Sequence, residues 1–328
     1  MKNSLKVLAA LGALGALALA LSPWFAHAQD YPSRAVRIVV PYAAGGSTDI
    51  LTRLVAQKLG ARLGQTVFVE NKPGANGVIG TEIVAKSAAD AYTLLMMTNG
   101  QTINVGLNSK LPFDTEKDFV PLVNVAVMPN AICIHPSHPA RTLREFVDAA
   151  KAKPGSLSYS HAGVGSPQHL AGELFKLVTK ADIVGIPYKG GGPAVTDAVA
   201  GTVPMVVAGI PAISQHVASG RLRALAVTSL TRSQLLVGVP TVAESGYAGF
   251  EANFWIALVA PRGVPPEIVQ RLNAELNTVL QDAEIGKQFA VQGASPVGGT
   301  PAELGTFIRN DIATWIRVIR EANIKVAD

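Results

Sequence analysis

A strand that runs through a glycine turn into a helix start occurs three times in this 328-residue chain, and that unit sets the fold class. The first copy is Arg37-Ile-Val-Val-Pro-Tyr-Ala-Ala-Gly-Gly-Ser-Thr-Asp49. Val36, Ile38, Val39 and Val40 are β-branched and read as a buried strand. Pro41 has no N–H for a ladder and ends it. Gly45 and Gly46 allow a turn where a Cβ would clash. Ser47 or Thr48 is the expected helix cap, with Asp49 in the first turn. The second copy passes from a strand at 157–161 through Ala162-Gly-Val-Gly-Ser-Pro167. Ser166 is its cap, and Pro167 takes the first helical position, where a missing N–H costs nothing. The third passes from a strand at 183–188 through Lys189-Gly-Gly-Gly192 into a helix opened by Pro193. Short apolar strands alternating with amphipathic helices predict an α/β protein with largely parallel sheets.

Residues 1–28 have the composition of an export signal. Lys2 and Lys6 precede an apolar run at 7–21, and Ala26-His27-Ala28 is a small-x-small cleavage site. The run is short for a membrane span, no stop-transfer pattern follows, and no cysteine stands at the cut to carry a lipid. The expectation is a mature protein released into a periplasm. Loss of the two signal lysines takes the formal net charge from +5 to +3. That excludes the concentrated basic face of a nucleic-acid binder and suits a small acidic ligand. The mature length predicts two lobes rather than one core. The only cysteine, Cys133, lies in an apolar run and reads as a core thiol.

Further strands are expected at 67–69, 92–97, 203–208, 222–228 and 254–259. The apolar stretch from 119 to 135 reads as a first crossing between lobes, and the strand at 254–259 as a second. Two long helices close the chain. The last has Thr300 as cap, Pro301 next and Glu303 completing a capping box; both are expected to pack on the first lobe.

All three glycine turns would aim helix N-terminal N–H groups at the carboxyl ends of the strands, where ligands of open parallel sheets sit. Orphan donors and the helix dipole both favour an anion there. Charged hydrogen bonds of about 1.5–3 kcal/mol each allow four of them to hold a carboxylate at micromolar affinity without any Arg or Lys. No Gly-x-Ser-x-Gly elbow, Walker A, complete Gly-x-Gly-x-x-Gly or His-Glu-x-x-His is present. A Ser166–His169 hydrolase is the remaining enzymatic alternative, and a capping serine with a histidine three residues on is the simpler reading. No metal and no cofactor is implied, and the chain is expected not to be an enzyme.

These motifs closely resemble the tripartite tricarboxylate transporter substrate receptors, also called Bug-type periplasmic solute-binding proteins. The likeness runs from about Asp30 to the C-terminus. One signature is Pro41-Tyr-Ala-Ala-Gly-Gly-Ser-Thr-Asp49 and another spans Tyr159 to Leu170. Supporting segments are Asn71-Lys-Pro-Gly-Ala-Asn-Gly77, Tyr188-Lys-Gly-Gly-Gly-Pro193, Leu222-Arg-Ala-Leu-Ala-Val-Thr228 and Val239-Pro-Thr-Val-Ala-Glu244. The resemblance implies a two-lobed periplasmic-binding-protein fold of type II-like form, closing on its ligand about two crossing hinge strands. The corresponding division is a signal at 1–28, lobe 1 at 29–127 and 253–328, and lobe 2 at 128–252. It implies a carboxylate held by Tyr42, Gly45, Gly46, Ser47, Thr48 and Asp49 from one lobe. Gly165, Ser166 and His169 face it from the other, with Gly191 and Gly192 nearby. Asn99, after the strand at 92–97, is a further candidate. It also implies a monomer that delivers its ligand to a transporter with a large and a small integral membrane subunit; a receptor presenting ligand to a sensor is the alternative.

Three departures from the family pattern bear on the ligand. His161 stands where a small residue is common, Phe254 where a small polar one is common, and Pro204 where an acid is frequent. Tyr42, His161 and Phe254 are therefore expected to flatten the cavity for an aromatic mono- or dicarboxylate such as terephthalate.

Overall fold

The computed structural model describes residues 31–108 and 110–324, so the expected export signal lies outside it. From Arg34 onward the chain forms one compact unit. Its strands are β1 (Val36–Val40), β2 (Val67–Asn71), β3 (Thr93–Thr98), β4 (Phe119–Met128), β5 (Asn130–Ile134) and β6 (Leu157–His161). Then come β7 (Ile183–Pro187), β8 (Met205–Gly209), β9 (Arg223–Val227), β10 (Phe254–Pro261) and β11 (Ser295–Gly298). The helices are α1 (Ser47–Leu63), α2 (Val78–Ala85), α3 (Asn99–Leu107), α4 (Leu143–Ala152) and α5 (Pro167–Thr179). The remainder are α6 (Gly191–Val199), α7 (Ile210–Ala218), α8 (Pro266–Leu280), α9 (Ala283–Val291) and α10 (Pro301–Glu321).

The strands make two sheets, ordered β11-β4-β10-β3-β1-β2 and β7-β6-β8-β5-β9. Parallel pairing joins β1 to β2 and β3, and β6 to β7 and β8, as helical crossovers require. The strands at the crossing and the edge strand β11 pair antiparallel: β10 with β3 and β4, β11 with β4, and β5 with β8 and β9. The sheets are therefore mixed rather than mainly parallel. β4 passes into β5 through Pro129 alone, and the chain returns at β10.

That crossing is tied by amides. Thr228 Oγ1 accepts from Asn130 N–H at 2.9 Å, and Asn130 Nδ2 donates to the Ala252 carbonyl at 3.2 Å. Asn99 Nδ2 donates to the Asn253 carbonyl at 3.1 Å. Buried backbone groups that leave one sheet before joining the other find partners here.

Helix α10 departs from expectation. Leu304, Ile308 and Ile312 on its first half lie in the core of the first sheet with Leu95, Met97 and Trp255. Trp315, Val318 and Ile319 on its second half lie in the core of the second sheet with Tyr159, Phe175 and Leu225. A helix of 21 residues is about 32 Å long and reaches both cores. Its capping box forms as read: Thr300 Oγ1 accepts from Glu303 N–H, and Glu303 Oε2 accepts from Thr300 N–H at 2.7 Å. Cys133 is fully buried in β5, and burial pushes its thiol up to about 12. None of the described helices is long and apolar enough to cross a membrane.

Candidate functional site

The carboxyl ends of β1, β6 and β8 come together at the crossing, and a cleft of about 250 Å³ opens there. The first sheet supplies Tyr42, Ala43, Gly46, Ser47 and Thr48 from the turn before α1, Phe254 from β10 and Gln292 from the end of α9. The second supplies Gln168 from the first turn of α5, and Gly209 and Pro211 from the turn into α7. Met128, Pro129 and Asn130 form the floor where the chain crosses.

The turn before α1 is organised by Asp49. Its carboxylate accepts from Gly45 N–H at 2.9 Å, Asn71 Nδ2 at 3.0 Å and Arg53 Nε at 3.1 Å. Asn71 Nδ2 also donates to the Tyr42 carbonyl at 3.1 Å, closing the loop on itself. Gly45 has φ +86°, a conformation that side chains rarely adopt. Burial alone would raise the Asp49 carboxyl, but the bonds from Arg53, Gly45 and Asn71 outweigh it and hold the pKa below the ordinary value. Asp49 is thus committed within the loop and 4% exposed.

Helix α1 starts at Ser47, one residue earlier than a Ser47 cap allows and two earlier than a Thr48 cap. Its cap is Gly46, which offers no side-chain acceptor. Asp49 bonds back to Gly45, so the amides of the first turn keep the orphan donors that every helix start has. Ser47 is exposed and Thr48 buried against the cleft floor. Gly209, the cap of α7, is likewise without a side-chain acceptor. Two uncapped helix starts, one from each sheet, therefore border one cleft.

In the second signature, Ser166 caps α5 as read, accepting from His169 N–H at 3.2 Å. Gly165 N–H donates to His169 Nδ1 at 3.2 Å, so the imidazole proton sits on Nε2, 4.0 Å from Glu173 Oε1. His169 Nδ1 is taken, and among the described residues the bond to Ser166 Oγ comes from the His169 N–H: the pair forms a cap and its brace. His161 is 1% exposed and stacks on His169 with ring centroids 4.3 Å apart. Burial and the neighbouring imidazole push its pKa down to about 4, so it is neutral at pH 7. Burial lowers His169 as well. His161 faces this buried stack and does not line the cleft.

Tyr42 lines the cleft with its ring, while its hydroxyl shares a hydrogen with Thr98 Oγ1 at 2.9 Å. Gly100 is required there, because a Cβ would overlap the Tyr42 hydroxyl. Burial raises the phenol pKa, so it stays protonated. Phe254 lines the same cavity, half-buried. Asn99 is buried at the crossing and serves the strand connection described above. Gly191 and Gly192 open α6 after the uncapped Gly190 and do not line the cleft. Pro204 precedes β8 at the end opposite Gly209, its carbonyl bonded to His135 N–H, and is not part of the cleft.

The sequence reading missed Gly209 and Pro211, although they repeat its own signal: a strand, a glycine and an early helical proline. Gln168 stood inside the second signature without a role. Met128, Pro129 and Asn130 were read only as a crossing. Gln292 comes from the end of a helix remote in sequence, and no local pattern marks it. None of the cleft-lining residues is Lys, Arg, Asp or Glu.

The model of the family described as the tripartite tricarboxylate transporter family receptor matches residues 51–324. Protein BugT of Bordetella pertussis is 41% identical over 326 residues, which cover 99% of both chains. The solved structure of R. palustris Rpa4515 with adipate is 35% identical with a TM-score of 0.76, covering 90% of this chain and 99% of that one. MatC (Rpa3494) from Rhodopseudomonas palustris with bound malate is 31% identical with a TM-score of 0.72, covering 88% and 100%.

Proposed function

Because the chain belongs to the tripartite tricarboxylate transporter receptor family, we propose that it binds a small carboxylate with an apolar body in the cleft between its sheets and hands it to an integral membrane transporter. The observation that carries this reading is the make-up of the cleft: uncapped helix starts at Gly46 and Gly209, no charged side chain, and walls of Tyr42, Met128, Pro211 and Phe254. A carboxylate is held by backbone donors of α1 and the amide of Gln168. The lobes shut on it by motion about the β4–β5 and β10 crossings.

Adipate and malate in the relatives set the acid class. Two aromatic rings, Tyr42 and Phe254, replace the three expected, because His161 turns away. They still favour a flat body, as in an aromatic mono- or dicarboxylate such as terephthalate, and Gln292 offers a neutral donor to its far end. Calorimetric titration with terephthalate, nicotinate, adipate and citrate tests the reading. Tight binding of an aromatic acid with weak citrate binding is expected. Tight citrate binding with no aromatic acid bound would overturn the aromatic assignment, and no binding of any of the four acids would overturn the carboxylate assignment.

A further inference from the structure

At one end of the cleft the half built on the first sheet touches the half built on the second. Helix α9 ends at Val291, and Gln292 and Gly293 follow it. Gly293 N–H donates to the Ala290 carbonyl at 2.9 Å, and Ala294 N–H to the Phe289 carbonyl at 3.0 Å, which fixes the turn. Gly293 then lies bare against Pro211 of α7 and Leu235 of the loop after β9. A Cβ at Gly293 would stand 2.6 Å from Pro211 Cγ, 2.7 Å from Pro211 Cδ and 3.6 Å from Leu235 Cδ1. Carbon atoms in contact keep about 3.5–4.0 Å, so even one methyl group would force the two walls about 1 Å apart. Leu235 can yield, being 42% exposed. Pro211 cannot, because its ring is closed on the backbone in the first turn of α7, where Ile210 and Ile213 are fully buried.

The same contact separates two spaces. Gln292 and Pro211 line the cleft, whereas Gly293 and Leu235 line a groove of about 680 Å³ on its other side. Pro129 borders both. The partition is therefore one bare glycine from the first half meeting a proline and a leucine from the second. A helix end turning through φ +65° accounts for a glycine at 293, but asparagine serves that conformation as well. The backbone alone does not account for the close approach of Pro211.

We propose that Gly293 is the seat on which the two halves close: Pro211 and Leu235 come to rest on its bare Cα, seal the cleft from the groove, and set how far the cleft shuts. The proposal rests on reading the cleft as one that closes on its ligand. Gly293 is a positioning residue, acting on affinity through Pro211 and Gln292.

Gly293→Asn tests the seat, because asparagine tolerates the left-handed backbone of a helix end and spares the turn while filling the contact. Gly293→Ala, adding one methyl, is a second variant with the same expected direction. Gly64→Asn is the control: Gly64 ends α1 at φ +66°, and a Cβ there meets nothing within 4 Å. Spin labels at Gln57→Cys on α1 and Gln215→Cys on α7, both exposed, read the spacing of the halves without any ligand, and Cys133 is too buried to be labelled. Pulsed electron paramagnetic resonance should show a longer distance in Gly293→Asn than in the otherwise unmodified protein or in Gly64→Asn. Calorimetry with adipate should show at least about tenfold weaker binding by Gly293→Asn. Adding Pro211→Ala to Gly293→Asn removes Cγ and Cδ from the contact and should shorten the distance again. An unchanged distance in both Gly293 variants, an equal lengthening in Gly64→Asn, or no shortening with Pro211→Ala would overturn the proposal. The distances need no acid, so a failure of adipate and every other acid to bind would overturn the carboxylate reading, while a lengthened distance in Gly293→Asn alone would still uphold the seat.

Discussion

Replacing Asp49 by asparagine tests whether the first signature loop binds through its backbone or through its acid. The carboxylate uses both oxygens: Gly45 N–H and Arg53 Nε reach Oδ2, while Asn71 Nδ2 and Arg53 Nη2 reach Oδ1. In the Asp49→Asn variant the new amide nitrogen confronts either Gly45 N–H and Arg53 Nε or the Asn71 and Arg53 donors. Two charge-assisted bonds of about 1.5–3 kcal/mol each are lost. Arg53 is half exposed and Gly45 exposed, so both recover water, and the net cost should be about 2–3 kcal/mol. Urea unfolding at pH 7 reads it. With Gly45 released, the first-turn amides of α1 lose their aim, and carboxylate affinity should fall at least about tenfold, or 1.4 kcal/mol. The pKa of Asp49 is depressed in the fold, so its stabilisation is present above the unfolded carboxyl value of about 3.9 and is lost as pH falls through the lower folded value. The variant should lack that part of the acid limb. A stability loss below about 0.5 kcal/mol with affinity intact would refute the loop-bracing role. Abolished binding at unchanged stability would make Asp49 a direct ligand contact instead.

Phe254→Ala should cut affinity for an aromatic acid about 10–100-fold by calorimetry and affinity for adipate much less, since a buried ring contributes about 1.5–3 kcal/mol; equal losses would remove the aromatic wall. Saturating ligand should lower the radius of gyration in solution scattering if the lobes close, and an unchanged profile would count against a hinge. Trp315→Ala should cost about 3–5 kcal/mol in urea unfolding, because the ring fills the core of the second sheet from a helix anchored on the first. Asp311 has a raised carboxyl pKa, so its charge opposes folding increasingly as pH rises from about 4 through 6; Asp311→Asn should be the more stable protein at pH 7.5, with the advantage gone below pH 4 in paired thermal melts.

The strands and most of the helices were legible because their signals are local. β1 is a β-branched run closed by Pro41, α5 carries Ser166 and Pro167 at its start, and α10 carries a complete capping box. Helix α3 was not legible: Asn99, Gly100 and Asn104 dilute its apolar residues, and it is held by the Thr98–Gln101 capping box and by packing against α10. The antiparallel pairings of β10 and β11 depend on contacts between distant segments, which no local period encodes. The bridging role of α10 has the same origin, since its apolar stripe is continuous and only the tertiary structure assigns its halves to different cores. At the site, glycine turns announced where donors gather, but not which way His161 points. A histidine ending a strand reads the same whether it faces the cleft or, as here, stacks on His169 inside.

On the proposed reading, a carboxylate bound in the cleft meets no charged side chain there. Arg or Lys at the cleft would pull in any small anion over long range and hold it whatever its body. Amides at two helix starts act only over contact distance, and their grip depends on the acid reaching both walls. Affinity then rests on how well the remainder of the ligand fits among Tyr42, Met128, Pro211 and Phe254, and on whether the halves can come together around it. The neutral imidazoles of His161 and His169 preserve this condition: protonation of either would add a charge beneath the second signature, and burial prevents it at neutral pH. On that reading the stack keeps the cleft selective by shape, and the loop that Asp49 braces supplies one of the polar anchors about which shape is judged.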